Sequence, residues 1–112
     1  MKIYHNPRCR KSREGLAILE EAKQQFEIIE YLKNPPIEKE LREILSKLKI
    51  SPIDLVRLKE PIWNENYRNK NLTDDEIIKA MIDHPKLIER PIVIKGNKAV
   101  LGRPPENIKN LL

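Results

Sequence analysis

The prolines at positions 35 and 36 mark the place where the hydrophobic period of the sequence changes, and this change limits the possible folds. Before them, KIYH and FEIIEYL are short apolar runs bounded by turn residues, which is typical of β-strands. Between the two runs, Leu16, Leu19 and Ala22 recur at helical spacing, which predicts a helix from Arg10 to about Lys23. The residues before the prolines therefore predict the order β-α-β.

After the prolines, the apolar residues follow a helical period instead. A broad stripe of apolar residues predicts an amphipathic helix and consists of Ile37, Leu41, Ile44, Leu45 and Leu48. Ser51 and Pro52 have the N-cap and first-turn chemistry of a second, shorter helix. In LTDDEII, Thr73 and Glu76 fit a capping box, so a third helix should run to about residues 81–83. The segment KEPIWNENYRNKN has no period and is interpreted as a loop.

The C-terminal part of the sequence returns to the strand pattern. RPIVIKGNKAVL has two apolar runs around a Gly-Asn turn, which predicts a β-hairpin, and Pro104 or Pro105 should then begin a short helix. The complete order is β-α-β, a helical insertion over about residues 37–83, and β-β-α. Because this order resembles that of thioredoxin and glutaredoxin, we expect an α/β fold with a mixed sheet of about four strands. A chain of 112 residues supports one hydrophobic core, so residues 1–112 should form a single domain.

The composition is that of a globular protein. With 39% hydrophobic and 35% charged residues, the chain can bury a core while keeping a charged surface. No run approaches the roughly 18 apolar residues of a membrane span, and the start MKIYHNP is too polar for a secretory signal. A single cysteine cannot form an internal disulfide, which agrees with a reducing compartment. We therefore expect a soluble, cytoplasmic protein with no membrane partner.

The net charge of +5 raises the question of a nucleic-acid partner, because lysine and arginine neutralise phosphates. The basic residues, however, alternate with acidic ones, as in EEAKQQFE and EKELREILSKLK, and form no block of like charge. Aromatic residues make up only 4% of the chain, so few platforms exist on which bases could stack. We expect no specific binding of nucleic acid.

Cys9 lies in the segment HNPRCRKSR, where the first predicted strand passes into the first predicted helix. The start of a helix directs backbone N–H groups and the positive end of the helix dipole at this position, which is also where oxyanions bind. Ser12 can turn its hydroxyl toward the sulfur. Positive potential comes also from the neighbouring side chains of Arg8, Arg10, Lys11 and Arg13. Because such surroundings favour the thiolate, we interpret Cys9 as a nucleophile rather than as a small buried apolar residue, a common role of free cysteine.

Three other cysteine chemistries fit the sequence poorly. One cysteine and two well-separated histidines match no zinc-binding spacing, so no metal site is expected. A phosphatase-type loop needs an arginine six residues after the cysteine, and the chain has Gly15 there. A dithiol redox pair needs a second cysteine at the position that Ser12 occupies.

The segment HNPRCRKSR resembles the active-site segment of the glutaredoxin-like arsenate reductases. The resemblance continues through NPP after the second strand, through HPKLIERPIVI, and through GRPPE before the last helix. In that family three arginines hold the oxyanion, and the matching positions here are Arg57, Arg90 and Arg103. The thioredoxin fold places a cis-proline opposite the cysteine, which makes Pro91 the candidate. The residues expected to support the thiol are His5, Asn6 and Ser12.

His5 has two interpretations. Its ring nitrogens could tune the thiol or orient the loop through hydrogen bonds, or His5 could simply end the first strand with one nitrogen satisfied.

The resemblance implies an arsenate reductase in which Cys9 attacks arsenate and an external thiol resolves the thioarsenate adduct. Glutathione, as co-substrate, and glutaredoxin are the implied partners, because the chain has no second cysteine. The implied enzyme is a monomer that binds no metal or prosthetic cofactor. Two alternatives stay open: a regulator of the Spx type, which shares the fold and binds RNA polymerase, and a general thiol transferase. Ser12 and the intact arginine set favour the enzyme.

Overall fold

The computed structural model describes all 112 residues, which divide into two compact units. The sheet unit consists of Met1–Asn34 and Arg90–Leu112, and the helical unit consists of Pro35–Glu89. The helical insertion expected over residues 37–83 falls inside the helical unit, while the organisation as a single domain stays a prediction.

The sheet unit contains four strands: β1 (Lys2–His5), β2 (Glu27–Glu30), β3 (Ile92–Lys95) and β4 (Lys98–Leu101). Their order in the sheet is β2-β1-β3-β4. β1 runs parallel to β2 and antiparallel to β3, and β3 and β4 form the predicted antiparallel hairpin. The prediction of a mixed α/β sheet of four strands is therefore confirmed.

One helix and one 3₁₀ segment pack on this sheet: α1 (Arg10–Glu21) and Pro105–Leu111. The final short helix is thus a 3₁₀ helix. The core of the sheet unit consists of Ile3, Leu19, Val93, Ile108 and Leu111. Because Ile3 lies on the central strand β1, the packing of this core fixes the strand that leads directly to Cys9.

α1 approaches its neighbours very closely at a glycine. A Cβ atom on Gly15 would lie 2.8 Å from both Ile108 Cδ1 and Pro91 Cγ, and a Cβ on Gly102 would lie 2.8 Å from Pro91 Cγ. The side of α1 that is most deeply buried therefore carries small residues, Ser12 and Gly15, together with Leu19. The predicted apolar face was only partly correct. Leu19 is buried as predicted, but Leu16 and Ala22 are only half-buried.

The helical unit contains three α-helices and two 3₁₀ turns. The α-helices are α2 (Glu38–Leu48), α3 (Pro61–Asn66) and α4 (Asp74–Asp83), and the 3₁₀ turns are Pro52–Leu55 and Pro85–Leu87. The capping box of α4 is confirmed: Thr73 Oγ1 accepts a hydrogen bond from the Glu76 amide at 3.2 Å, and Glu76 Oε1 accepts one from the Thr73 amide at 3.0 Å. The helix expected to start at Ser51 is a single 3₁₀ turn.

The interpretation of KEPIWNENYRNKN as a loop was wrong, because α3 lies within it. Pro61 occupies the first turn of α3, the position at which its missing N–H costs no hydrogen bond. Trp63 is buried and stacks on Tyr67 with ring centroids 5.4 Å apart. A helix of six residues is too short to show a hydrophobic period, which is why periodicity did not reveal it. None of the helices has the length and apolar character that a membrane span requires.

Candidate active site

Asn6 builds the turn that carries Cys9 from β1 into α1. Its backbone carbonyl accepts a hydrogen bond from the Cys9 amide at 3.0 Å, and its side-chain Oδ1 accepts one from the Arg8 amide at 3.0 Å. Arg13 closes the turn from the helix, since its Nη1 donates to the Pro7 carbonyl at 3.0 Å. Cys9 itself has extended backbone angles at the N-cap of α1. The turn thus fixes the thiol at the start of the helix.

The positive potential of this helix start is not neutralised from within the first turn. No acidic residue occurs in the first turn of α1. Arg10 and Lys11 lie there instead, and both form surface ion pairs with Glu14, with N–O distances of 3.1 and 3.9 Å. A helix that begins with cations leaves its N–H groups and dipole available to an anion.

Cys9 is a half-buried thiol whose pKa lies below its ordinary value of 9.0. Burial alone raises the pKa, but the backbone N–H of Ser12, the Arg90 guanidinium and the backbone N–H of Lys11 together outweigh it. These surroundings favour the thiolate, which is the nucleophilic form.

His5 and Ser12 form a buried polar pair directly behind the turn. His5 Nδ1 lies 2.7 Å from Ser12 Oγ, and the Asn6 amide donates to the same Oγ at 3.0 Å. Ser12 is fully buried. The Ser12 hydroxyl therefore faces His5 and Asn6, whereas it is the Ser12 backbone N–H that acts on the thiol. The sequence had suggested that the hydroxyl would turn toward the sulfur.

The pKa of His5 is lowered by burial, and this effect prevails although Glu30 and Ser12 raise the pKa; Arg13 lowers it further. A neutral imidazole with Nδ1 unprotonated accepts the Ser12 hydroxyl hydrogen, while Oγ accepts from the Asn6 amide. In this arrangement both polar groups of the pair are satisfied.

Arg90 is the arginine that the structure brings to the thiol, since its guanidinium lowers the Cys9 pKa both as a hydrogen-bond donor and by its charge. Arg90 is only 8% exposed, and its Nε has no hydrogen-bond partner. Arg103 contacts Arg90 directly, since its Nη1 donates a hydrogen bond to the Arg90 carbonyl at 3.1 Å. The Arg90–Pro91 and Arg103–Pro104 peptide bonds are both cis. A buried N–H donor without an acceptor is unusual in a native protein and is a donor that a ligand can satisfy.

Arg57 belongs to the helical unit and is engaged there by two carboxylates. Its Nε lies 3.1 Å from Glu89 Oε1, and its Nη1 lies 3.9 Å from Glu60 Oε2. The role of Arg57 as an oxyanion ligand stays a prediction. Glu89 was not considered from the sequence, although an acidic residue directly before Arg90 is a visible signal.

The structure brings together no group of three or more His, Cys, Asp or Glu side chains that could hold a metal ion. The groups that the structure places at this site are a thiol with a lowered pKa, a buried guanidinium with a spare donor, and the backbone N–H groups of a helix start.

A four-stranded sheet of order β2-β1-β3-β4 with one cysteine at the junction of β1 and α1 defines a protein of thioredoxin-like fold. The match to a family model is more specific: residues 4–111 match the ArsC family. The chain belongs to the ArsC family, and the resemblance noted in the sequence is confirmed.

Individual relatives match along nearly their whole length. An arsenate reductase of Neisseria meningitidis is 45% identical over 114 residues, which covers 100% of this chain and 97% of the relative. An uncharacterized protein of Escherichia coli is 44% identical and covers 100% of this chain and 96% of the relative. The solved structure of an arsenate reductase from Vibrio cholerae has a TM-score of 0.93 and 42% identity, covering 100% of this chain and 98% of that one.

Proposed function

We propose that the protein is an arsenate reductase in which Cys9 is the nucleophile and an external thiol is the reductant. The observation that carries this proposal is the Arg90 guanidinium, which is buried beside a thiol of lowered pKa and keeps one N–H donor without a partner. An oxyanion is a ligand that satisfies such a donor and neutralises a buried positive charge. The names of the relatives in Neisseria meningitidis and Vibrio cholerae support arsenate as the oxyanion.

The reaction begins when the Cys9 thiolate attacks the arsenic atom of arsenate. A sulfur–arsenic bond forms, and one oxygen leaves as water after protonation. An external thiolate, for which we propose glutathione, then attacks the Cys9 sulfur. The electron pair of the sulfur–arsenic bond stays on arsenic, so As(V) becomes As(III) and is released as arsenite, while the two sulfurs form a mixed disulfide. A second thiol, from glutaredoxin or glutathione, restores Cys9 by exchange.

The arginines stabilise the negative charge of the oxyanion in this scheme. We propose that Arg90, Arg103 and Arg57 bind the arsenate oxygens through charge-assisted hydrogen bonds. Guanidinium groups suit this role because they stay charged at any physiological pH and present several donors in one plane. His5, Asn6 and Ser12 hold the turn and the helix start in place.

Single alanine variants of the three arginines test the site. Each should reduce arsenate about a hundredfold more slowly than the parent, since the loss of one charged donor to an oxyanion typically has this effect. Arg10→Ala is the matched control, because Arg10 also adjoins Cys9 but is exposed and paired with Glu14. Circular dichroism establishes that each variant is folded. Parent rates in all three variants would contradict the oxyanion site.

Intact mass measurement tests the part played by the thiol. After incubation with arsenate and glutathione, but without glutaredoxin, the protein should carry a glutathione adduct on Cys9 that is absent from Cys9→Ser. Arsenite produced catalytically without added thiol, or by Cys9→Ser, would contradict the scheme. An adduct that forms equally well without arsenate, with no arsenite produced, would favour a general thiol transferase instead.

A further inference from the structure

A groove in the helical unit lies between two turns and the short helix α3. It has a volume of about 580 Å³ and is lined by Ile53, Leu58, Lys59, Trp63, Asn64 and Arg68. All of these residues belong to the helical unit, and none of them takes part in the reaction scheme proposed above. The volume is in the range of roughly 300–1,000 Å³ that is usual for ligand sites. The groove is therefore large enough to hold a side chain of another molecule.

The walls of the groove expose apolar side chains to solvent. Ile53, in the 3₁₀ turn Pro52–Leu55, is 38% exposed, and Leu58 is 53% exposed. Leu58 lies inside a tight turn, which the Glu60 amide closes by donating to the Arg57 carbonyl at 3.0 Å. Such turns are usually formed by glycine, proline, asparagine, aspartate or serine, so the turn itself does not require a leucine. The exposed side chain of Leu58 is free to contact a binding partner.

Trp63 is the most deeply buried residue that lines the groove, with 7% exposure. Its ring stacks on Tyr67 with the ring centroids 5.4 Å apart, and the Tyr67 ring contacts that of His84 edge-on at 6.2 Å. These contacts hold the indole in place, so it forms a rigid surface between the apolar walls. Tryptophan and arginine are also the residue types that most often dominate the binding energy of protein–protein interfaces.

The polar part of the groove is positively charged. Lys59 and Arg68 are both exposed, and neither side chain forms an ion pair. Arg42 in the same unit, by contrast, is paired with Glu38 and Asp75. Lys59 and Arg68 therefore have no carboxylate partner within the chain.

The carboxylates that are nearest along the chain do not line the groove: Asp54, Glu60 and Glu65. Asp54 Oδ2 accepts a hydrogen bond from the Ser51 amide at 3.3 Å. Glu60 Oε2 lies 3.9 Å from Arg57 Nη1 and is directed to that residue. The lining thus combines apolar walls with two cations and contains no acidic residue.

We propose that this groove docks an acidic segment of a partner protein. An apolar side chain of the segment contacts Leu58 and Trp63, and its carboxylates pair with Lys59 and Arg68. Charge complementarity identifies this class of partner, because an acidic segment supplies the opposite charge that the chain itself does not place in the groove. The inference is independent of the proposed reaction at Cys9, which uses none of these residues.

Two features favour a protein segment over an anionic membrane surface. The tryptophan is buried within a concave groove and does not protrude, whereas aromatic residues that bind membranes enter the lipid headgroup region. Only Lys59 and Arg68 supply positive charge to the groove, whereas electrostatic attachment to anionic lipids takes clusters of about 4–8 basic residues. An apolar centre with a polar rim is instead typical of a protein–protein interface.

Tryptophan fluorescence tests this inference directly, because Trp63 is the only tryptophan in the chain and lines the groove. The probe is a synthetic peptide with capped ends, in which one leucine lies between two pairs of glutamates. Added to the full chain, it should change the Trp63 emission saturably, with a dissociation constant below about 1 mM. The same peptide with serine in place of leucine should bind about tenfold more weakly, because the apolar contact is lost.

Variants of the lining assign the binding to the groove. Leu58→Ala and Lys59→Glu should each weaken binding of the leucine peptide about tenfold, the first by removing an apolar contact and the second by replacing attraction with repulsion. Ile37→Ala and Lys39→Glu are the matched controls, because both residues are exposed in the helical unit and lie outside the groove. Each control should change the dissociation constant by less than about twofold. Circular dichroism establishes that all four variants are folded.

The opposite results overturn the inference. Docking in the groove is excluded by an unchanged Trp63 emission at millimolar peptide, by equal binding of the leucine and serine peptides, or by equal losses in the groove and control variants. An emission that depends on protein concentration without peptide, together with a dimer in sedimentation, would show that a second copy of the chain occupies the groove. A response to phosphatidylserine vesicles but not to the leucine peptide would assign the groove to a membrane surface.

Discussion

Cys9 obtains its lowered pKa from residues that are distant from one another along the chain. The N–H groups of Lys11 and Ser12 come from the following helix, whereas Arg90 comes from the segment directly before β3. The local part of this environment could be predicted from HNPRCRKSR, because a strand that turns into a helix always presents N–H groups to the residue between them. Arg90 was expected at the site only through the family resemblance, since no local pattern places residues 9 and 90 together.

Replacing Arg90 should therefore make the thiol less acidic. We expect Arg90→Ala to raise the Cys9 pKa toward its ordinary value of 9.0, because burial of the thiol continues to oppose the thiolate while a cation that favoured it is lost. Ultraviolet absorbance of the thiolate as a function of pH gives the pKa. Arg10→Ala should leave it nearly unchanged, because Arg10 is exposed and paired with Glu14. Equal pKa values in Arg90→Ala and the parent protein would refute this origin of the shift.

At the scale of elements, α1 depends on a close approach that only glycine allows. Gly15→Ala places a methyl group 2.8 Å from Pro91 and Ile108 side-chain atoms, so one of these side chains or the helix must move. We expect a loss of about 1–3 kcal/mol in the free energy of unfolding, the usual effect of overpacking a core. Urea unfolding followed by circular dichroism measures it.

Gly96→Ala is a comparison variant that measures the cost of backbone strain without a steric clash. Gly96 has a φ of +58°, but an added Cβ there would meet no atom within 4 Å. This variant should lose only about 1 kcal/mol, the usual strain of a left-handed conformation in a residue with a side chain. If Gly15→Ala is as stable as the parent protein, the contacts of α1 with Pro91 and Ile108 are looser than described.

The elements that the sequence revealed are those with a period or a cap. α2 has an apolar stripe and α4 a capping box, and both were predicted. The buried side of α1 was only partly predicted, because Ser12 and Gly15 are buried by the approach of Ile108 and Pro91 and not by their own hydrophobicity. Small residues give no hydrophobic signal, so their burial depends on packing that a single sequence does not encode locally.

At the scale of the whole molecule, the lowered pKa values of His5 and Cys9 both make the free energy of unfolding increase as the pH rises. The unfolded chain binds a proton at His5 near pH 6.5, whereas the folded chain does so only at lower pH. The contribution of His5 is therefore fully present above pH 6.5 and is lost as the pH falls through the folded pKa. Cys9 acts in the same sense at higher pH: its folded pKa is below 9.0, so its contribution appears as the pH rises toward that value.

Urea unfolding across the pH range tests both contributions separately. The parent protein should gain stability as the pH rises through each window. His5→Gln should flatten the acid part of the curve, and Cys9→Ser should flatten the alkaline part. A parent curve that falls with rising pH in the acid window would show that His5 is not held neutral by the fold.

The sequence also predicted which arginines to examine, but it could not predict their partners. Arg90 proved to be buried beside the thiol, and Arg57 proved to be paired with Glu60 and Glu89. An arginine has the same appearance in a sequence whether its charge is free or already neutralised. The difference depends on the bridge between Val56 and Ile88, which joins segments about thirty residues apart.

The pairing of β1 with β3 has a consequence for how the protein is made. β1 leads to Cys9 and pairs with β3, as Lys2 does with Ile94. The ribosome therefore synthesises Cys9 long before it synthesises β3 and Arg90, whose guanidinium lowers the Cys9 pKa. A helix of twelve residues such as α1 is only marginally stable before it packs, so the early chain also lacks firmly placed N–H groups at the thiol. The nascent cysteine is therefore an ordinary, largely protonated thiol, and protonated thiols react slowly with oxidants and disulfides. The surroundings that lower the Cys9 pKa therefore assemble only after β3 has been synthesised and has paired with β1.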